Sequence, residues 1–206
     1  HCHLREPGFC YKEDILSGTT AAAAGGFTTV CAMPNTKPVV DTPELVKFIK
    51  NADSLVRVLP IAAVTQGQIG VKLNNFTELK NAGAAAFSDD GRPVVSEDMM
   101  KSAIRSASSV SSIVISHCED LNVDEYDSET VMAARDIELA KKTNLPLHLA
   151  HISKRASIEL IEKAKAEGVK ITAETCPHYF SLTENKESTD FKMNPPLGKK
   201  EDVAAV

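Results

Sequence analysis

Six histidines fall in four short clusters: His1-Cys2-His3, Ser116-His117-Cys118-Glu119-Asp120, His148-Leu149-Ala150-His151 and Pro177-His178. The last three clusters close or follow an apolar run that reads as a strand, and a strand is counted as ending at His1. In a (β/α) architecture the C-terminal ends of the strands form the face where chemistry is done. His1 and His3 are two apart, so in an extended chain both imidazoles point one way and reach one metal ion. Cys2 then points away into packing. A lone His-x-His is a weak signal, but Leu4-Arg5-Glu6-Pro7-Gly8 follows and adds a guanidinium beside the proposed ion. His117 reads equally as a ligand or as a hydrogen-bonded core histidine. His148 and His151 are three apart and face opposite sides of a strand. His151 lies nearer the strand end and is the better ligand candidate, while His148 reads as structural or as support for a ligand. His178 follows Pro177 in a loop and is not assigned to a metal.

Carboxylates and amides complete the set. Asp89-Asp90-Gly91 follows the strand read at Ala84–Ser88. An Asp-Gly there is usually a turn. On the histidine-bearing face, one such carboxylate is able to bridge two ions, because both oxygens carry lone pairs. Imidazoles with a carboxylate suit zinc or a similar divalent metal. Arg5 is suited to grip a substrate carboxylate as a bidentate fork. Asn35, in Met33-Pro34-Asn35-Thr36, and Asn194, in Lys192-Met193-Asn194-Pro195-Pro196-Leu197, read as turn formers or as substrate contacts. Gly25-Gly26 has no phosphate-binding fingerprint around it.

These residues need a scaffold that aligns strand ends. Apolar, β-branched runs predict strands at Phe27–Met33, Val56–Val64, Ala84–Ser88, Ile113–Ser116, Leu145–Ala150 and Val169–Glu174. Amphipathic segments predict helices at Lys12–Ala24, Pro43–Asn51, Glu97–Ser109, Glu129–Thr143 and Lys154–Ala166. Gly25-Gly26 and Gly168 sit at helix stops, and Thr42 with Pro43 at a start. Between Val64 and Ala84 the helical signal is weak. Strict alternation implies a parallel sheet covered on both faces. Counting a strand that ends at His1, there are seven βα units, whereas a closed barrel has eight and typically about 250 residues. The expectation is one domain over residues 1–206, a TIM-like (β/α)8 barrel without its eighth strand.

Bulk properties narrow the function. The chain has 206 residues, 43% hydrophobic and 25% charged, with a net charge of -5. Acidic and basic residues are mixed, which excludes the clustered basic face of a nucleic-acid binder. No apolar run is long enough to span a membrane as a helix. The five cysteines (Cys2, Cys10, Cys31, Cys118 and Cys176) form no C-x-x-C pair and are odd in number. They read as thiols of a reducing compartment, so a cytoplasmic location is expected.

Taken in order, the motifs resemble one family. His1-Cys2-His3-Leu4-Arg5-Glu6-Pro7-Gly8, Ala32-Met33-Pro34-Asn35-Thr36, Phe87-Ser88-Asp89-Asp90-Gly91, His117-Cys118-Glu119-Asp120, His151-Ile152-Ser153 and Asn194-Pro195-Pro196-Leu197 resemble the dihydroorotases of the amidohydrolase superfamily, in their bacterial type I branch. The resemblance implies a metal-dependent, reversible hydrolysis of the cyclic amide of dihydroorotate to N-carbamoyl-L-aspartate in pyrimidine synthesis. It implies that His1 and His3 bind one zinc ion, that Asp90 bridges, and that His117 and His151 bind a second, with one or two ions per subunit. Arg5, Asn35 and Asn194 would hold the substrate carboxylate. A catalytic aspartate and β-strands beside the barrel are expected outside residues 1–206. The resemblance further implies a homodimer, associated in some members with aspartate transcarbamoylase. Residues 120–129 and 184–191 are short for the family. Two rival readings share the motifs: another cyclic amidohydrolase (hydantoinase, dihydropyrimidinase or allantoinase), and an inactive dihydroorotase-like subunit supporting aspartate transcarbamoylase.

Overall fold

The computed structural model describes residues 1–185 and 189–206. The expected short stretch 184–191 therefore lies partly outside the described residues. Six parallel strands follow one another in chain order: β1 (Thr29–Ala32), β2 (Arg57–Ala62), β3 (Ala86–Phe87), β4 (Val114–Ser116), β5 (Leu147–Leu149) and β6 (Ile171–Ala173). The strand expected at His1 is reduced to one parallel bridge, Cys2 to Ala32. The described residues thus carry six strands and a bridge rather than seven strands. All six are shorter than their apolar runs, because only the central residues pair in the ladder.

Residues 1–92 and 106–114 form one compact unit. Within it β1 pairs with β2 from Thr29↔Arg57 to Ala32↔Pro60, and β2 with β3 at Ile61↔Ala86 and Ala62↔Phe87. Its core is Ile61, Ala62, Ala63, Val64, Leu79 and Phe87, with the Phe76 and Phe87 rings 4.0 Å apart. Helix α1 (Ile15–Ala24) starts three residues later than its periodicity suggests. Asp14 caps it by accepting from the Ser17 amide at 2.7 Å, which ends the helix at that carboxylate. Helix α2 (Pro43–Asn51) begins as expected, with Thr42 accepting from Leu45 N. The weak segment after Val64 resolves into a 3₁₀ turn, Gln66–Gln68, and a short helix α3 (Phe76–Ala82). Asn75 caps α3 and Gly83 ends it in a left-handed conformation, φ 117°.

Residues 93–105 and 115–206 form the second unit. Helix α4 (Glu97–Ser109) begins here, and β5 pairs with β6 from Leu147↔Ile171 to Leu149↔Ala173. Helix α5 (Glu125–Thr143) starts one turn earlier than expected, because Asp124 caps it by accepting from Tyr126 N at 2.9 Å. It packs on α6 (Arg155–Ala166), and a last helix, α7 (Lys200–Ala205), lies against α6. The core here is Met132, Ala133, Ile137, Ala140, Leu147, Leu149 and Ala150. No helix among the described residues is long and apolar enough to cross a membrane.

Candidate metal centre

In the first unit, the loops after the Cys2 bridge, β1 and β3 bring His1, His3 and Asp90 together. Their ligand atoms lie within 4.8 Å of one another. His1 Nε2 stands 3.7 Å from Asp90 Oδ1, and His3 Nε2 3.4 Å from Asp90 Oδ2. Donors on one tetrahedral zinc, each about 2.1 Å from it, are about 3.4 Å apart. The spacing therefore suits a shared divalent ion, and so does the all-nitrogen-and-oxygen donor set. Cys2 turns away, its thiol toward Cys31 O at 3.4 Å, and burial pushes that thiol up to about 12. Burial lowers the His3 imidazole despite the opposing pull of Asp90. That favours the neutral ring whose lone pair ligates.

Neighbouring side chains fix these donors. Asn35 Oδ1 sits 2.9 Å from His3 Nδ1, so His3 donates there and leaves Nε2 for an ion. Asn35 Nδ2 reaches Asp90 Oδ2 at 3.5 Å. Asn35, expected as a substrate contact, is thus hydrogen-bonded to two of the candidate ligands. Gly91, φ 75°, leaves that amide room, since a Cβ there would come within 3.2 Å of Asn35 Nδ2. Gly8, φ 91°, has a stronger reason to be glycine: a Cβ would fall 2.0 Å from Lys37 O. The Arg5–Gly8 turn therefore packs directly on the loop that carries Asn35. Asp89, beside Asp90, is structural. It is buried and accepts from Val64 N, Thr65 N and Thr65 Oγ1.

In the second unit, His117 and His151 leave the ends of β4 and β5 and meet. His117 Nδ1 is 2.8 Å from His151 Nε2, and both rings are buried. His117 Nε2 is 3.0 Å from Glu119 Oε2. An ionised carboxylate only accepts, so Nε2 carries the hydrogen and Nδ1 presents a lone pair. Glu119 is held below its usual range, first by that bond. Two ligands of one ion would stand about 0.6 Å further apart than these two nitrogens do, a shift within reach of a small ring rotation. Sequence reasoning gave Glu119 no role; the signal was its place two residues after a candidate ligand. His148 does not join the pair. Its Nδ1 is 2.7 Å from Thr172 Oγ1, on the paired strand β6. His178 packs against Tyr179 with its ring tilted by 58°, and its imidazole is lowered by burial and by nearby His151.

Asn194 lines a cavity of about 160 Å³ with Cys118, Glu119, Asp120, Pro195 and Pro196. It therefore shares that space with the carboxylate that holds His117. Arg5 is half-buried on the turn after His3. Among the described residues, five non-glycine residues have positive φ, and two of them are the candidates Arg5 (61°) and His151 (42°). Such strain gathers where a side chain must be aimed.

Solved structures share this fold. An L-hydantoinase from Arthrobacter aurescens matches with a TM-score of 0.82 at 21% identity, covering 100% of this chain and 52% of its own. A dihydroorotase from Campylobacter jejuni matches at 0.77 and 18%, covering 100% and 62%. Together with six parallel strands in sequential order, they establish a partial TIM-like barrel fold. Proteins called dihydroorotase from Ruminiclostridium cellulolyticum and Acetivibrio thermocellus are each 48% identical over all of this chain and 54% of their own length. The chain thus spans about half the length of these relatives. A family model described as dihydro-orotase-like covers residues 1–188. A fold held in common with cyclic amidohydrolases, near-half identity to dihydroorotases and a family match over most of its length place this chain in the dihydroorotase-like family.

Proposed function

We propose that the protein containing this chain is a zinc-dependent dihydroorotase, which opens and closes the cyclic amide of dihydroorotate. The observation that carries the reading is the His1–His3–Asp90 cluster, with donors spaced for one divalent ion. His117 and His151 are assigned to a second ion. An ion held there polarises a carbonyl and lowers the pKa of water to roughly 7. Asn35 and Glu119 fix the tautomers of His3 and His117, so each presents a lone pair. Arg5, Asn35 and Asn194 take the substrate carboxylate.

The rival cyclic amidohydrolases share the fold at about one-fifth identity, whereas the relatives at 48% are called dihydroorotase. An inactive subunit is disfavoured by the intact donor cluster. A homodimer and an association with aspartate transcarbamoylase rest on the resemblance alone, and a cytoplasmic location on reading the cysteines as thiols of a reducing compartment.

A substrate panel on the full-length protein tests the reading. Dihydroorotate is turned over, a chelator stops turnover and zinc restores it, while uncharged hydantoins, dihydrouracil and allantoin are left intact. Turnover of hydantoins without action on dihydroorotate sinks the proposal. In the same assay Arg5→Ala raises KM roughly 10- to 100-fold, the worth of a charge-assisted fork, and leaves zinc content unchanged. Loss of zinc with KM unaltered would assign Arg5 to the metal instead.

A further inference from the structure

Lys154 is an unusual residue to bury: its side chain is only 2% exposed. Its ammonium lies 4.5 Å from the centroid of the Tyr126 ring. It donates to Pro196 O at 3.2 Å and to Leu197 O at 3.5 Å. Tyr179, equally buried, donates its hydroxyl to Pro195 O at 2.7 Å. Three successive carbonyls after Asn194 are therefore held by two side chains. The sequence explains why the anchors fall on carbonyls. Pro195 and Pro196 have no N–H, so neither of them can be fastened through an amide donor. Their φ angles are already restricted, so carbonyl anchors set the direction of a stiff segment. Asn194 stands at the head of that segment and faces the cavity it shares with Glu119. A buried ammonium is costly unless its hydrogens are bonded. Here the two bonds described go to the backbone of this one segment.

Given the proposed dihydroorotase reading, on which this rests, we propose that Lys154 is a positioning residue for Asn194, with Tyr179 as its second anchor, and that it sets affinity for the substrate carboxylate. Lys154 is not among the residues assigned to substrate or metal. It acts by keeping the Asn194 amide where the carboxylate will be, and small misplacements of such groups have large effects.

The test uses full-length, zinc-loaded protein and dihydroorotate, with Lys154→Met, Asn194→Ala and the double variant. Lys154→Met keeps the bulk and removes the donors. It is expected to raise KM about tenfold, leave kcat within about twofold and leave zinc content unchanged. Asn194→Ala raises KM at least as much, and the double variant raises it no further, because one residue acts through the other. If Lys154→Met leaves KM unchanged, lowers kcat instead, or adds in full to Asn194→Ala, the inference is overturned and the dihydroorotase reading stands. If Asn194→Ala leaves KM unchanged, the substrate role of Asn194 falls and the inference falls with it. Should Lys154→Met fail to fold, Tyr179→Phe decides: it removes only the hydroxyl on Pro195 O. A KM increase of about threefold that vanishes in the Asn194→Ala background supports the inference, and an unchanged KM overturns it.

Discussion

Asp90→Asn in the full-length protein lowers kcat/KM by about a thousandfold or more, roughly 4 kcal/mol of transition-state stabilisation, and strips zinc from the site. The substitution keeps shape and volume at a residue only 3% exposed, so the fold survives. What it removes is the negative charge and one donor oxygen. Asp90 presents Oδ1 toward His1 and Oδ2 toward His3, and an amide nitrogen in either place has no lone pair to offer. Elemental analysis beside steady-state kinetics checks the result. Full zinc content and wild-type kcat/KM in Asp90→Asn would remove Asp90 from the centre altogether.

Asp136→Ala lowers stability by about 3–5 kcal/mol, the cost of leaving one member of a buried ion pair behind. Asp136 is fully buried. Its Oδ1 accepts from Arg135 Nη2 at 2.7 Å and Nε at 3.0 Å, and its Oδ2 accepts from Ser116 Oγ at 2.5 Å. Arg135 Nη1 continues to Val94 O and Val95 O, both at 2.8 Å. One carboxylate thus ties α5 to the last residue of β4, beside His117, and through Arg135 to the entry of α4. Urea unfolding shows the loss directly, and melting falls on the order of 10 °C. The double change Arg135→Met with Asp136→Leu recovers much of it, because a buried pair replaced by apolar groups of similar size is often neutral. Equal instability in the single and double variants would refute an ionic origin.

Both predictions start from residues that sequence reasoning treated unequally. Asp90 was legible because Asp-Asp-Gly follows a strand and matches a family motif. Asp136 was not, because a lone acid inside an amphipathic helix looks like any solvated one until β4 is packed against it. The same contrast runs through the fold. Helices α2 and α4 were read to the residue, α2 because Thr42-Pro43 punctuates its start and α4 from its amphipathic pattern. Helix α5 was begun a turn late, because the apolar periodicity starts after the cap and Asp124 looked like loop. Strands were read too long for a related reason: apolar runs report burial, while ladder pairing ends sooner. At the site, spacing and strand ends made His1, His3 and His151 candidates and left His117 even between ligand and core histidine, and the family resemblance alone joined the four into one ligand set. The hydrogen bonds Asn35–His3 and Glu119–His117 could not be read, because they depend on how loops remote in sequence, or turning sharply, fold back.

The left-handed backbone at Arg5 and His151 has an evolutionary corollary. Chiral residues in that region tax the folded state, and glycine there would relax it. A laboratory search for heat-resistant variants will therefore be drawn to these two positions early. The sturdier proteins it returns will be ones that have given up the two side chains proposed to hold substrate and metal.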